Sequence, residues 1–261
     1  MARHSRLIVP GIALHINQHG NDRQACFRED SDRLVYLSKL GDFCKHWRCA
    51  LHAYCLMTNH VHLLLTPCDE DGPALLMRDL GRCYVRYYND RHGRTGSLWE
   101  GRFHSCLVDS PRHVIACHRY LERNPMRAHM VAAPGAYRWS SYTGNSGARK
   151  DVLLTPHPEY WALGIDERTR FAEYAALCRQ DDDADFLAAI RDATEGGLPL
   201  IGDELKLRLT AQGLRVDRSK PGPRPKAEAA KSRAGNLNYD PGPEFGNRLQ
   251  QNGGIALTPA R

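Results

Sequence analysis

CALHAYCLMTNHVHLLLT, residues 49–66, contains two apolar runs, 49–56 and 61–66, joined by Met57-Thr58-Asn59-His60. A connection of that length and chemistry suits a tight antiparallel turn, so the stretch reads as a β-hairpin. On its N-terminal side, residues 8–17 are rich in β-favouring side chains and run into the turn-forming cluster His19-Gly20-Asn21-Asp22, which predicts a strand and a loop. Between them, residues 29–47 repeat Leu34, Leu37, Leu40 and Phe43 at three-residue spacing behind a capping Ser31 or Asp30, the pattern of a helix.

On the C-terminal side, residues 74–90 place Leu76, Asp79 and Leu80, Cys83 and Tyr84, and Tyr87 on helical spacing and stop at His92-Gly93. SLWEGRFHSCLVD, residues 97–109, reads as a strand around Phe103, Cys106 and Val108. Ser110-Pro111 then supplies an N-cap and an N1 proline for a helix running to Asn124, where Pro125 disfavours further helical geometry. Strand, helix, hairpin, helix, strand, helix is an α+β arrangement with helices packed on an antiparallel sheet. Beyond residue 148 the spacing predicts helices over 167–180, 182–195 and 202–212, a C-terminal helical appendage, and from about 215 the composition is that of a basic disordered tail. The expected division is therefore 1–148, 149–214 and 215–261.

The chain has 261 residues, 42% hydrophobic and 25% charged, the composition of an ordinary soluble protein. Its formal charge of +6 favours a polyanionic partner, yet residues 218–233 hold six basic residues against one acidic residue, so the rest is nearly balanced. Nine cysteines without a C-x-x-C pair suggest neither a disulfide framework nor a four-cysteine zinc site, and no apolar run is long enough to span a bilayer. The expected location is the cytoplasm, with no membrane partner.

In a strand, alternate side chains share a face, so His60 and His62 point the same way and offer two imidazoles to a divalent ion. An H-x-H on a sheet equally suits a hydrogen-bonded polar pair. Of the other histidines, His46, His52, His92, His129 and His157 read as surface or packing residues. On the helix after Ser110, Tyr120 and Asn124 are four residues apart and share a face with His113 and Cys117. A phenol needs a metal or positive charge to attack a phosphodiester at neutral pH, and an amide oxygen from Asn124 would add a third, hard ligand suited to magnesium or manganese. Taken alone, Asn124 also fits a helix end before Pro125, and Tyr120 a packed core residue.

Met57-Thr58-Asn59-His60-Val61-His62-Leu63-Leu64, then Leu98-Trp99-Glu100-Gly101-Arg102-Phe103, then Tyr120-Leu121-Glu122-Arg123-Asn124-Pro125-Met126-Arg127-Ala128, together resemble the REP-associated tyrosine transposases of the single-tyrosine HUH class. Arg6-Leu7, Pro10-Gly11, His15 and Gly20-Asn21-Asp22-Arg23 resemble that family's opening, and the likeness covers roughly residues 5–145. It implies a ferredoxin-like sheet carrying the histidines, Mg2+ or Mn2+ held by His60, His62 and Asn124, and Tyr120 as the residue joined to a DNA 5′ phosphate. The implied reaction is metal-dependent cleavage and transfer of single-stranded DNA beside a palindromic hairpin, in the nucleoid. Candidate DNA contacts are Arg23, Arg82, Arg86, Arg102, Arg112, Arg123 and Arg127, with Arg224 and Lys226 in the tail. Tyr84, Tyr87 and Tyr88 match no catalytic motif and read as packing or stacking residues. A catalytically silent hairpin-binding regulator with the same fold is the alternative, and the sequence leaves monomer and homodimer open.

Overall fold

The computed structural model describes residues 6–217 except Asp182 and Arg215, so Arg224, Lys226 and nearly all of the tail expected over 215–261 lie outside the described residues. The elements run β1 (Ala13–His19), α1 (Asp30–His46), β2 (Cys49–Leu56), β3 (His60–Pro67), α2 (Gly72–His92), β4 (His104–Val108), α3 (Pro111–Glu122) and α4 (Asn124–Arg127). Short helices α5 (Tyr142–Asn145) and α6 (Pro158–Trp161) lead into α7 (Glu167–Arg179), α8 (Ala184–Gly196) and α9 (Asp203–Ala211). The four strands form one antiparallel sheet in the order β2-β3-β1-β4. The expected hairpin is present, closed by the Met57 N–H to His60 carbonyl bond of 2.9 Å.

Several boundaries differ from the sequence expectation for local reasons. Residues 9–12 form a turn, with Gly11 at φ 79° and the Ile12 N–H bonded to the Val9 carbonyl, so β1 starts at Ala13. Its far end extends to His19, which pairs opposite His60. The first helix is capped one residue earlier than expected. Asp32 accepts from the Glu29 and Arg28 N–H groups at 3.0 and 2.8 Å, the reciprocal half of a capping box. The second helix runs two residues further at each end and stops where Gly93 turns left-handed at φ 61°. The chain does not leave helical geometry at Asn124. After α3 ends at Glu122, Asn124 opens α4, and Pro125 sits in that first turn, where its missing N–H has no partner to lose.

Register divides the sheet into two chemical faces. Leu14 and Ile16 on β1 and Val61, Leu63 and Leu65 on β3 are fully buried and belong to the main core, together with Tyr36 and Leu40 of α1 and Leu76, Leu80 and Tyr84 of α2. Tyr84 and Tyr88 donate to the Cys26 and Ala25 carbonyls, so both act in packing, as the sequence suggested. The alternate residues of β1 and β3 include His15, Asn17, His19, His60 and His62 beside Ala13 and Leu64, and α3 lies over this face, packed on β2, β3 and β4.

The C-terminal helices dock on this same body. Tyr160, Tyr174 and Cys178 form a second small core against Ile115 of α3, and α8 packs on β1, β4 and α3. Both outer strands are paired further by irregular chain. Leu200 bridges Val108 beside β4, with its N–H on the Leu107 carbonyl at 2.7 Å, while Ser140 bridges Cys55 beside β2. Among the described residues no helix is long and apolar enough to cross a membrane.

Candidate active site

Polar side chains gather on the face under α3, His15, Asn17 and His19 from β1 and His60 and His62 from β3, with Asn17 opposite His62 and His19 opposite His60. The His60 and His62 ring centroids are 4.9 Å apart, so the two imidazoles do project together as their spacing predicts. His15 stacks on His62 at 5.2 Å and His19 on His60 at 4.9 Å. Burial drives these rings toward the neutral form. The pKa falls to about 3 for His15 and about 4 for His60, and that of His62 lies well below its ordinary value, with neighbouring histidine charge adding to the effect.

Hydrogen bonds orient the pair. His60 Nδ1 lies 2.7 Å from Asn59 Oδ1, and the Asn59 amide nitrogen donates to the Arg23 carbonyl at 3.2 Å, which fixes which end of the amide faces the ring. An oxygen acceptor there places the His60 proton on Nδ1 and leaves Nε2 with a bare lone pair. His62 is bonded through Nδ1 to His15 Nε2 at 3.0 Å, so its Nε2 is also uncommitted. Two imidazoles on one divalent ion, each nitrogen about 2.1 Å away, have ring centres roughly 5 Å apart, and this pair fits. Among the described residues no group of three or more His, Cys, Asp or Glu side chains is disposed to hold a metal. His15 has both ring nitrogens in hydrogen bonds, and His19 receives the Asn17 amide on Nε2 at 3.1 Å. A third ligand would therefore be an amide or an oxygen of the substrate. Asn124, half-buried at the start of α4, has the right chemistry for it.

Tyr120 reaches the histidines from α3, a helix whose start is fixed by Ser110 accepting from the His113 N–H. Its ring stands edge-on to both His15 and His62, with centroids 5.7 Å away in each case. Burial raises its pKa, while the nearby positive charges of Arg127 and Arg191 pull it down. The Arg127 guanidinium lies over the Tyr120 ring at 4.7 Å and also donates to the Tyr120 carbonyl.

The other arginines singled out from the sequence fall into two groups. Arg23, Arg82, Arg86, Arg102 and Arg112 are exposed, Arg86 near Asp90 at 4.0 Å and Arg112 paired with Asp183 at 3.3 Å. Arg123 is different. It is 5% exposed and its guanidinium binds the Cys178 and Gln180 carbonyls, which makes it a strut between α3 and the end of α7 and removes it from any surface that DNA could touch.

Sequence reasoning did not place Asn17, His19, Arg191 or Thr194 at the site, and took His15 and Asn59 only as parts of motifs. The signal for the β1 residues was available: His15, Asn17 and His19 alternate just as His60 and His62 do, so pairing of β1 with β3 puts them on one face. Arg191 and Thr194 had no such signal, since they arrive from a helix more than 70 residues past Tyr120.

Residues 8–124 match the family described as "Transposase IS200 like", a span that contains His60, His62 and Tyr120 and ends on Asn124. Over 133 residues the chain is 23% identical to a candidate REP-associated tyrosine transposase of Haemophilus influenzae, a stretch covering 47% of this chain and 72% of that protein. Among solved structures, a REP-associated tyrosine transposase bound to a REP hairpin aligns with a TM-score of 0.47 at 13% identity, covering 61% of this chain and 93% of that one. A candidate transposase from Deinococcus radiodurans aligns with a TM-score of 0.32 at 18% identity, covering 49% and 92%.

Proposed function

The chain belongs to the REP-associated, single-tyrosine HUH transposase superfamily, and from that premise we propose that it cuts and rejoins single-stranded DNA beside a palindromic hairpin, with Tyr120 as nucleophile. The observation that carries this reading is the edge-on approach of Tyr120 to His62, which sets the one candidate nucleophile of α3 against the imidazole pair of β3. The strand order β2-β3-β1-β4 in a β-α-β-β-α-β chain supports the ferredoxin-like description of that scaffold.

In the cleavage step a bond forms between Tyr120 Oη and the scissile phosphorus, and the bond from phosphorus to the 3′ oxygen breaks. The phenol loses its proton and the released 3′ oxygen gains one, so the step is balanced without a nucleotide cofactor, and its reversal rejoins the strand. Arg127 and Arg191 favour the phenolate that burial disfavours. Mg2+ or Mn2+ on Nε2 of His60 and His62, with Asn124 as third ligand, would supply charge to the crowded phosphate.

The exposed Arg23, Arg82, Arg86, Arg102 and Arg112 are the candidate phosphate contacts for the hairpin. Residues 1–148 carry the nucleophile and the candidate ligands in this reading, 149–214 form a helical extension that brings Arg191 to Tyr120, and the protein works in the cytoplasm at the nucleoid. The test is incubation with labelled hairpin oligonucleotides bearing single-stranded flanks and Mn2+, followed by denaturing electrophoresis. Wild type is expected to leave a denaturation-resistant adduct and Tyr120→Phe none. No adduct on any hairpin, or equal adduct from Tyr120→Phe, would sink the assignment, and hairpin binding without adduct would favour the silent regulator.

A further inference from the structure

We propose that Thr194 of α8, acting through His15, fixes His62 in the tautomer with its proton on Nδ1 and a bare Nε2, which makes α8 a working part of the site. This rests on the reading of His62 as a metal ligand. Thr194 Oγ1 lies 2.7 Å from the Ile190 carbonyl, so its single hydroxyl proton is donated there. The same oxygen can then only accept, and its two remaining neighbours are His15 Nδ1 at 2.9 Å and Cys106 Sγ at 3.2 Å. His15 therefore carries its proton on Nδ1.

His15 is 1% exposed and its ring nitrogens meet only Thr194 and His62, neither of them an anion, so the ring sits there uncharged and its Nε2 carries no proton. That nitrogen is 3.0 Å from His62 Nδ1, so His62 must be the donor, and a neutral His62 then has its lone pair on Nε2. The chain has a mirror state. If His15 carries its proton on Nε2, it donates to His62 Nδ1, and the His62 proton moves to the nitrogen that a metal requires bare. Thr194 excludes that state because its oxygen has no second proton to give to His15. The relay spans three elements, from α8 through β1 to β3, and Thr194 and His15 are positioning residues that touch neither metal nor DNA.

The test uses the full chain, labelled with 15N-histidine and free of metal. Long-range proton–nitrogen correlation spectra should show His62 protonated on Nδ1. A wild-type His62 protonated on Nε2 overturns the relay with no variant needed. Thr194→Val is expected to populate the Nε2–H form and to weaken Mn2+ binding roughly 10-fold, with Thr194→Ser restoring both. If Thr194→Val leaves tautomer and Mn2+ affinity unchanged in a protein whose wild type forms the tyrosine adduct, the relay is wrong and the proposed function stands. If wild type shows the expected tautomer yet binds no Mn2+ and forms no adduct, the ligand reading fails and takes the relay's purpose with it.

Discussion

The ring of Tyr120 meets the ring of His62 at 82°, with 5.7 Å between centroids, inside a site where Tyr120 is only 7% exposed. A phenol so enclosed depends on its immediate neighbours for charge, and those neighbours come from separate parts of the chain. Arg127 follows it on α4, and Arg191 comes from α8.

Arg191→Ala should slow adduct formation at neutral pH while leaving hairpin binding nearly unchanged. A charged group that can hydrogen-bond the phenolate as it forms contributes about 1.5–3 kcal/mol, so its loss corresponds to about 10- to 100-fold in rate. Single-turnover kinetics on a labelled hairpin reads this directly. A rate that rises in the variant would instead mean that Arg191 restrains Tyr120.

His60→Ala should abolish measurable Mn2+ binding by calorimetry with little change in the metal-free fold, since His60 is only half-buried and its side chain is hydrogen-bonded to Asn59, its own neighbour in sequence. A chelator should likewise leave the circular dichroism spectrum intact, because an open site does not hold the fold together. Unfolding on chelation would identify a structural metal.

Acid should destabilise the protein in the window from about pH 6.5 down to pH 4. His15, His52, His60, His62 and His118 are all held neutral by burial, His52 and His60 with pKa near 4, so the unfolded chain takes up protons there and the native one does not. Glu122 works against them. Burial lifts its pKa from 4.5 to about 7, so its contribution is full below 4.5 and is lost as pH rises through 7. Five histidines outweigh one carboxyl, and melting temperature should peak at or above neutrality. In Glu122→Gln, the melting temperature relative to wild type should be higher at pH 8 than at pH 5, because Ser141 and Asn145 can still donate to the amide oxygen. A difference that does not vary with pH would refute the raised Glu122 pKa.

Arg82→Ala and Arg86→Ala should leave melting unchanged and each lower the salt slope of hairpin binding by about 1, measured by fluorescence anisotropy. Arg123→Ala should do the reverse, lowering melting temperature by taking the guanidinium from the carbonyl of buried Cys178, while the Gln180 carbonyl keeps Arg119, without changing the salt slope.

Much of the sheet was legible because its signals are local. The alternation of His60 and His62, the apolar runs around Met57-Thr58-Asn59 and the spacing of Leu76 and Leu80 each concern one element, and all are found where expected. The limits of β1 were not legible, because Gly11 turns the chain before Ala13 and strand pairing holds His19 beyond the expected end. Arg123 was misjudged because charge suggests solvent until the Cys178 and Gln180 carbonyls are seen to enclose it. Arg191 and Thr194 were invisible for a different reason. Neither belongs to a motif, and only tertiary packing of α8 on β1, β4 and α3 brings them to the site.

The extra pairing along the two outer strands bears on assembly. With Leu200 already bonded beside β4 and Ser140 beside β2, the backbone groups that would template a neighbouring strand at those positions are taken. A second copy could not lengthen the sheet there without displacing its own chain first, so edge-to-edge pairing of two copies would have to begin elsewhere along β2 or β4.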